Sequence, residues 1–133
     1  MILLQYPMLL NHVGVVNRNE DEAARFYRDL LGLDLTREVT VSSDLSGQLF
    51  SYSQDVKMLV FEKGGIKVEV FICPGGSQPS PNIRHIGFLL DDFPSFVDRA
   101  QHFGIDLITG KSGEKTVYFV KDYSGNLIEV KQK

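Results

Sequence analysis

The sequence predicts an α+β domain built from two copies of one βαβββ module, and three observations predict it. Short β-branched runs surround single amphipathic helical stretches, and the order strand, helix, strand, strand, strand occurs twice. Each copy opens on a similar tetrapeptide, Asn11-His12-Val13-Gly14 and Arg84-His85-Ile86-Gly87, and each closes on an apolar-Glu-Val triplet, Val68-Glu69-Val70 and Ile128-Glu129-Val130. A chain of 133 residues can bury one core without disulfides but not two, so modules at about 9–73 and 83–132 share a single domain spanning 1–133.

The first module begins with the apolar, β-branched run Leu9 to Val16, which reads as a strand ended by the polar break Asn17-Arg18-Asn19. Asn19 followed three residues later by Glu22 resembles a capping box, and Ala23, Phe26, Tyr27, Leu30 and Leu31 recur at helical spacing until Gly32. Glu20, Asp21 and Glu22 suit the positive end of that helix's dipole and need no catalytic role. Leu35 to Val41, Val56 to Glu62 and Ile66 to Ile72 read as strands, the last two joined as a hairpin through Gly64-Gly65.

A segment rich in turn formers, 74–82, connects the modules. Arg84 to Leu90 then reads as a strand, and Asp92 caps a helix whose apolar positions Phe96, Val97, Ala100 and Phe103 end at Gly104. Asp106 to Thr109, Thr116 to Lys121 and Leu127 to Lys131 complete the strands, with turns at Lys111-Ser112-Gly113-Glu114 and Asp122-Tyr123-Ser124-Gly125-Asn126.

Composition narrows the function. Net charge is -3 and the 14 basic residues are scattered, which leaves no electrostatic footprint for nucleic acid and points to a small-molecule partner. The apolar opening Met1-Ile2-Leu3-Leu4 lacks a basic flank and is broken by Gln5 and Pro7, so it does not read as a signal peptide; no stretch approaches the roughly 20 apolar residues of a membrane span. The single Cys73 has no partner for an internal disulfide, which fits a cytoplasmic setting and a packed thiol.

Alternation along the strands sorts the side chains. Beside His12, Glu69, His85 and Glu129 the neighbours Val13, Val15, Val68, Val70, Ile72, Ile86, Phe88, Leu90, Ile128 and Val130 are apolar and suit a face packed on the two helices. Both histidines and both glutamates then fall on the opposite face, together with Gly14 and Gly87, which add no bulk. Two carboxylates on one enclosed face call for a compensating charge, and a divalent cation supplies it. His12, Glu69, His85 and Glu129 are therefore candidate metal ligands; imidazole and carboxylate suit nickel, zinc, cobalt, iron or manganese without choosing among them. His102, in the second helix, reads as solvated, and Phe50, Tyr52, Met58 and Tyr118 as possible pocket walls.

These landmarks, with Phe26-Tyr27-Arg28-Asp29-Leu30-Leu31-Gly32-Leu33 and Asp122-Tyr123-Ser124-Gly125-Asn126-Leu127-Ile128-Glu129-Val130, resemble the vicinal oxygen chelate superfamily of glyoxalases, bleomycin-resistance proteins and extradiol dioxygenases along essentially the full chain. The resemblance implies a U-shaped mixed sheet with helices on its outer face, a metal inside it and a homodimer. The order His, Glu, His, Glu is similar to glyoxalase I, a lyase that isomerises a hemithioacetal to a thioester by metal chelation of neighbouring oxygens and proton transfer through a glutamate. By this resemblance Glu129 is the first choice for that base and Glu69 the second. Where glutathione-dependent glyoxalases carry an arginine and an asparagine four residues beyond the first two ligands, this chain has Val16 and Cys73. The resemblance also admits a non-catalytic drug-binding protein of the bleomycin-resistance type, an epimerase of the methylmalonyl-CoA type, from which Arg84-His85 departs in lacking a His-His pair, and a fosfomycin-type thiol transferase, which uses one glutamate rather than two.

Overall fold

The computed structural model describes residues 7–76 and 78–133, so the apolar opening Met1-Ile2-Leu3-Leu4 lies outside the described residues. The elements are β1 (Val13–Asn17), α1 (Glu20–Ala24) continued by a π-helical segment (Arg25–Leu30), β2 (Asp34–Val41), α2 (Ser43–Phe50), β3 (Val56–Lys63), β4 (Ile66–Ile72), β5 (His85–Leu90), α3 (Phe93–His102), β6 (Ile108–Ser112), β7 (Lys115–Lys121) and β8 (Leu127–Gln132). They form two four-stranded mixed sheets, ordered β1-β4-β3-β2 and β5-β8-β7-β6. In each, the first strand of the module lies parallel to the last, with Gly14 opposite Glu69 and Gly87 opposite Glu129. The strand that opens on His85, and the one that His12 immediately precedes, are thus direct neighbours of the strands that carry Glu129 and Glu69.

Local chemistry sets the helix starts. Asn19 accepts from the Glu22 backbone N–H at 2.8 Å and donates back to its carboxylate at 2.9 Å, while Arg18 bonds the same carboxylate. Asp92 caps α3 by accepting from the Ser95 N–H at 3.0 Å. Ala23, Phe26, Tyr27 and Leu30 are fully buried and join Phe96 and Ala100 of α3 in one core with Val68, Val70, Ile128 and Val130. Each fully buried aliphatic or aromatic side chain there contributes roughly 1.5–3 kcal/mol, and because the cluster draws on both modules they stabilise each other.

A polar knot reinforces that union. Asp122, 3% exposed, accepts from the Tyr27 hydroxyl at 2.7 Å, the Asn17 amide at 3.1 Å and the Asn126 amide at 2.8 Å, and its other oxygen takes the Ser124 and Asn126 backbone N–H groups. The turn before β8 is therefore tied to β1 and to the first helix. Burial, then the Asp122 charge, pushes the Tyr27 hydroxyl well above its usual range.

Three elements differ from the sequence expectation. The first strand begins at Val13 rather than Leu9, and Leu9 and Leu10 are exposed; β4 starts only two residues before Val13's partner Val68, so nothing remains to pair with them. The sixth strand runs Ile108–Ser112 instead of Asp106 to Thr109, because Ser112 pairs with Lys115 and leaves a two-residue turn at Gly113-Glu114, with Gly113 at φ 63. An eight-residue helix, α2, stands where no element was expected. Its caps are Ser42, accepting from Leu45 N–H, and Ser51 in the left-handed region at φ 55. Serines and Gly47 disguise it as a loop, and Leu45, Leu49 and Phe50 are exposed, so it lacks the inward stripe that announces a helix.

Candidate metal centre

Burial confirms the alternation. Val68, Val70, Ile128 and Val130 are at most 1% exposed, whereas Glu69 and Glu129 between them face the other way and stay partly accessible. His12 stands 3.2 Å from Glu69 through Nε2, and His85 stands 3.8 Å from Glu129, also through Nε2. The two facing glycines leave space beside these pairs: a Cβ on Gly87 would lie 4.0 Å from Glu129 Oε1.

The other nitrogen of each ring is occupied. Nδ1 of His85 lies 2.8 Å from the Ile83 carbonyl oxygen, which only accepts, so Nδ1 is the donor in that contact. Nδ1 of His12 meets the Asn11 side-chain oxygen at 2.7 Å, with the same consequence. In both modules Nε2 is the ring nitrogen that faces a carboxylate oxygen. Phe119 packs edge-on against the His85 ring at 5.2 Å and helps to set its angle.

Each module holds one such pair. Among the described residues no three His, Cys, Asp or Glu side chains stand close enough together to hold an ion, so the four sequence-identified residues stand as two separate His–Glu pairs within one chain. The donor types fit a divalent transition metal, and each pair would supply two donors.

Beside them lies a cavity of about 770 Å³ on the open face of the first sheet. Gly14, Val16 and Phe71 form its floor, α2 contributes Ser46 and Phe50, and Arg84 and His85 border it from the second module. Phe50 meets Phe71 edge to face at 5.4 Å. Of the expected pocket walls, Phe50 and Tyr52 line this cavity, and Tyr118 lines a smaller one of about 220 Å³ that Glu129 also borders; Met58 lines neither. Cys73 is half-buried at the cavity wall, where burial pushes its thiol up, an effect the neighbouring Tyr52 hydroxyl partly offsets. The thiol is thus a poor nucleophile in this setting. Sequence reasoning missed Ser46 and the cavity-forming role of α2; the Ser42-Ser43-Asp44 capping sequence was the available signal.

The sequence model of the Glyoxalase/Bleomycin resistance protein/Dioxygenase superfamily matches residues 9–130. The chain belongs to this superfamily. Among curated proteins no sequence matches it significantly. A glyoxalase family protein from Enterococcus faecalis is similar in structure, with a TM-score of 0.72 at 20% identity over 95% of this chain and 98% of that one. The trypanothione-dependent glyoxalase I of Leishmania major gives 0.71 at 16% identity over 94% and 86%. The fosfomycin resistance protein FosX of Listeria monocytogenes, in complex with manganese and 1S,2S-dihydroxypropylphosphonic acid, gives 0.69 at 13% identity over 93% and 91%. At such identities these superfamily members share the fold with this chain. No helix among the described residues is long and apolar enough to cross a membrane.

Proposed function

We propose that this superfamily member is a metal-dependent lyase or isomerase of the glyoxalase type, active as a homodimer in the cytoplasm on a small organic substrate with neighbouring oxygens. The observation that carries it is the twice-repeated arrangement of an imidazole Nε2 beside a carboxylate oxygen, His12 with Glu69 and His85 with Glu129. Because each chain holds two separate half-shells, the His12-Glu69 pair of one copy and the His85-Glu129 pair of another make up the four-ligand set.

His12, Glu69, His85 and Glu129 would hold a nickel, zinc, cobalt, iron or manganese ion, which when bound would supply Lewis-acid polarisation of the substrate's oxygens. Glu129 takes the proton from the carbon beside the polarised carbonyl and returns it to the adjacent carbon. It suits that role better than Glu69, since its carboxylate is more accessible (30% against 16%) and sits farther from its histidine.

Nickel titrated calorimetrically into chelator-treated protein tests the reading. We expect one ion per chain, none with His12→Ala or His85→Ala alone, and about a quarter of wild-type capacity when the two variants are refolded together, because half of the mixed dimers' sites are intact. Absence of uptake by the wild type would remove the metal; no recovery on mixing would place the whole site within one chain. Glu129→Gln separates an enzyme from a sequestration protein, since only the enzyme loses turnover while ligand binding persists.

A further inference from the structure

The cavity beside the first sheet is mostly apolar, and its amide side chains donate to neighbouring residues. Gln78 donates its amide to the Ser124 carbonyl and to Asn126, Asn82 donates to the Gly125 carbonyl, and Asn126 donates to the Val16 carbonyl and Asp122. No Asp, Glu or Lys is among the described lining residues. Arg84 is the exception: it lines the cavity, is exposed, and takes part in no ion pair among the described residues. An uncommitted guanidinium in an otherwise uncharged cavity offers a planar fork of donors to a carboxylate or similar anion. Across the same cavity Phe50 and Phe71 present aromatic surface from α2 and β4.

We infer that the ligand of this cavity is a small organic acid with an apolar or aromatic body, its anionic group on Arg84 and its body against Phe50 and Phe71. The inference deepens the function proposed above and rests on it for the neighbouring oxygens, but the anion contact needs no metal. Arg84 immediately precedes His85, so an acid held there brings the oxygens next to its carbon toward the second half-shell. A ligand with two or three negative charges, or a glutathione conjugate with its separate carboxylates, finds no second free cation among the described lining residues. The second module offers no equivalent chamber, because a two-residue turn joins β6 to β7 where α2 stands in the first.

Three probes test this by isothermal titration calorimetry on the full-length protein after chelator treatment, and again with nickel added: mandelate, which has the acid and the ring; lactate, which has the acid alone; and 1-phenyl-1,2-ethanediol, which has the ring and no charge. Mandelate should bind tightest, with lactate and the diol each weaker by about tenfold or more. Arg84→Gln should weaken mandelate by about tenfold and leave the diol unchanged, and Arg84→Lys should fall between. Because Arg84 is exposed, the melting temperature of these variants should match the wild type. Equal mandelate binding by wild type and Arg84→Gln, equal binding of mandelate and the diol, or no mandelate binding by the wild type would each overturn the inference. Failure of nickel uptake with the Arg84 dependence intact would sink the metal reading alone; loss of the Arg84 dependence with nickel uptake intact would sink this one alone.

Discussion

Replacing Asp122 by alanine should do more damage than any exposed charge change, because the carboxylate holds the two modules together. Its removal leaves the Tyr27 hydroxyl and the Asn17 amide, both on fully buried residues, without their acceptor. Each unpaired buried donor costs about 1–3 kcal/mol; the Ser124 and Asn126 N–H groups, nearer the surface, can turn to water at smaller cost. The sum is about 3–5 kcal/mol, a large share of the 5–15 kcal/mol typical of a domain, and it lowers the melting temperature on the order of 10–15 °C for a chain this long. Urea unfolding followed by far-ultraviolet circular dichroism measures it, with Asp91→Ala, at an exposed ion pair with Lys133, as the neutral control. A double-mutant cycle sharpens the test. Tyr27→Phe should cost about 1 kcal/mol in the wild type but be neutral or stabilising in the Asp122→Ala background, where the orphaned hydroxyl is a liability. A cost below 1 kcal/mol for Asp122→Ala, or additive effects of the two substitutions, would refute the reasoning.

Alkaline pH should expose the same contact. The Tyr27 hydroxyl is raised in the folded state above its ordinary 10.0, so the unfolded chain loses its proton first, and the stability this residue contributes, complete below pH 10, falls as pH climbs toward the folded value. Tyr27→Phe should unfold with a shallower stability loss above pH 10, and identical pH profiles would count against the raised value. Ser46 is fully buried with its hydroxyl unpaired, so Ser46→Ala should leave stability unchanged or raise it by up to about 1 kcal/mol in thermal melts; a loss larger than that would show that the hydroxyl has a partner.

Much of the fold was legible in the sequence because it is written in local periodicity. The hairpin of β3 and β4 follows from two β-branched runs about Gly64-Gly65, and the starts of α1 and α3 from Asn19 and Asp92. α2 was not legible: its serines and Gly47 carry weak helical propensity, and what holds it is contact with the open sheet face through pairs such as Phe50 and Phe71. Repetition itself worked against finding it, since the second module has no counterpart.

The candidate site divides in the same way. A period of two placed Glu69 and Glu129 opposite Val68, Val70, Ile128 and Val130, now seen in the core, while Ile86, expected on the core face, lines the cavity beside His85 instead. Which histidine meets which glutamate depends on strand pairing, β1 with β4 and β5 with β8, and the separation of the two pairs depends on how the modules dock through the shared core and Asp122. The sequence by itself determined the module order, the face on which each candidate ligand stands and the superfamily. Only the tertiary structure decided that the four candidate residues stand as two separate pairs and that Arg84 borders a cavity roofed by α2, because those relations join residues far apart in the chain, whose proximity no local pattern encodes.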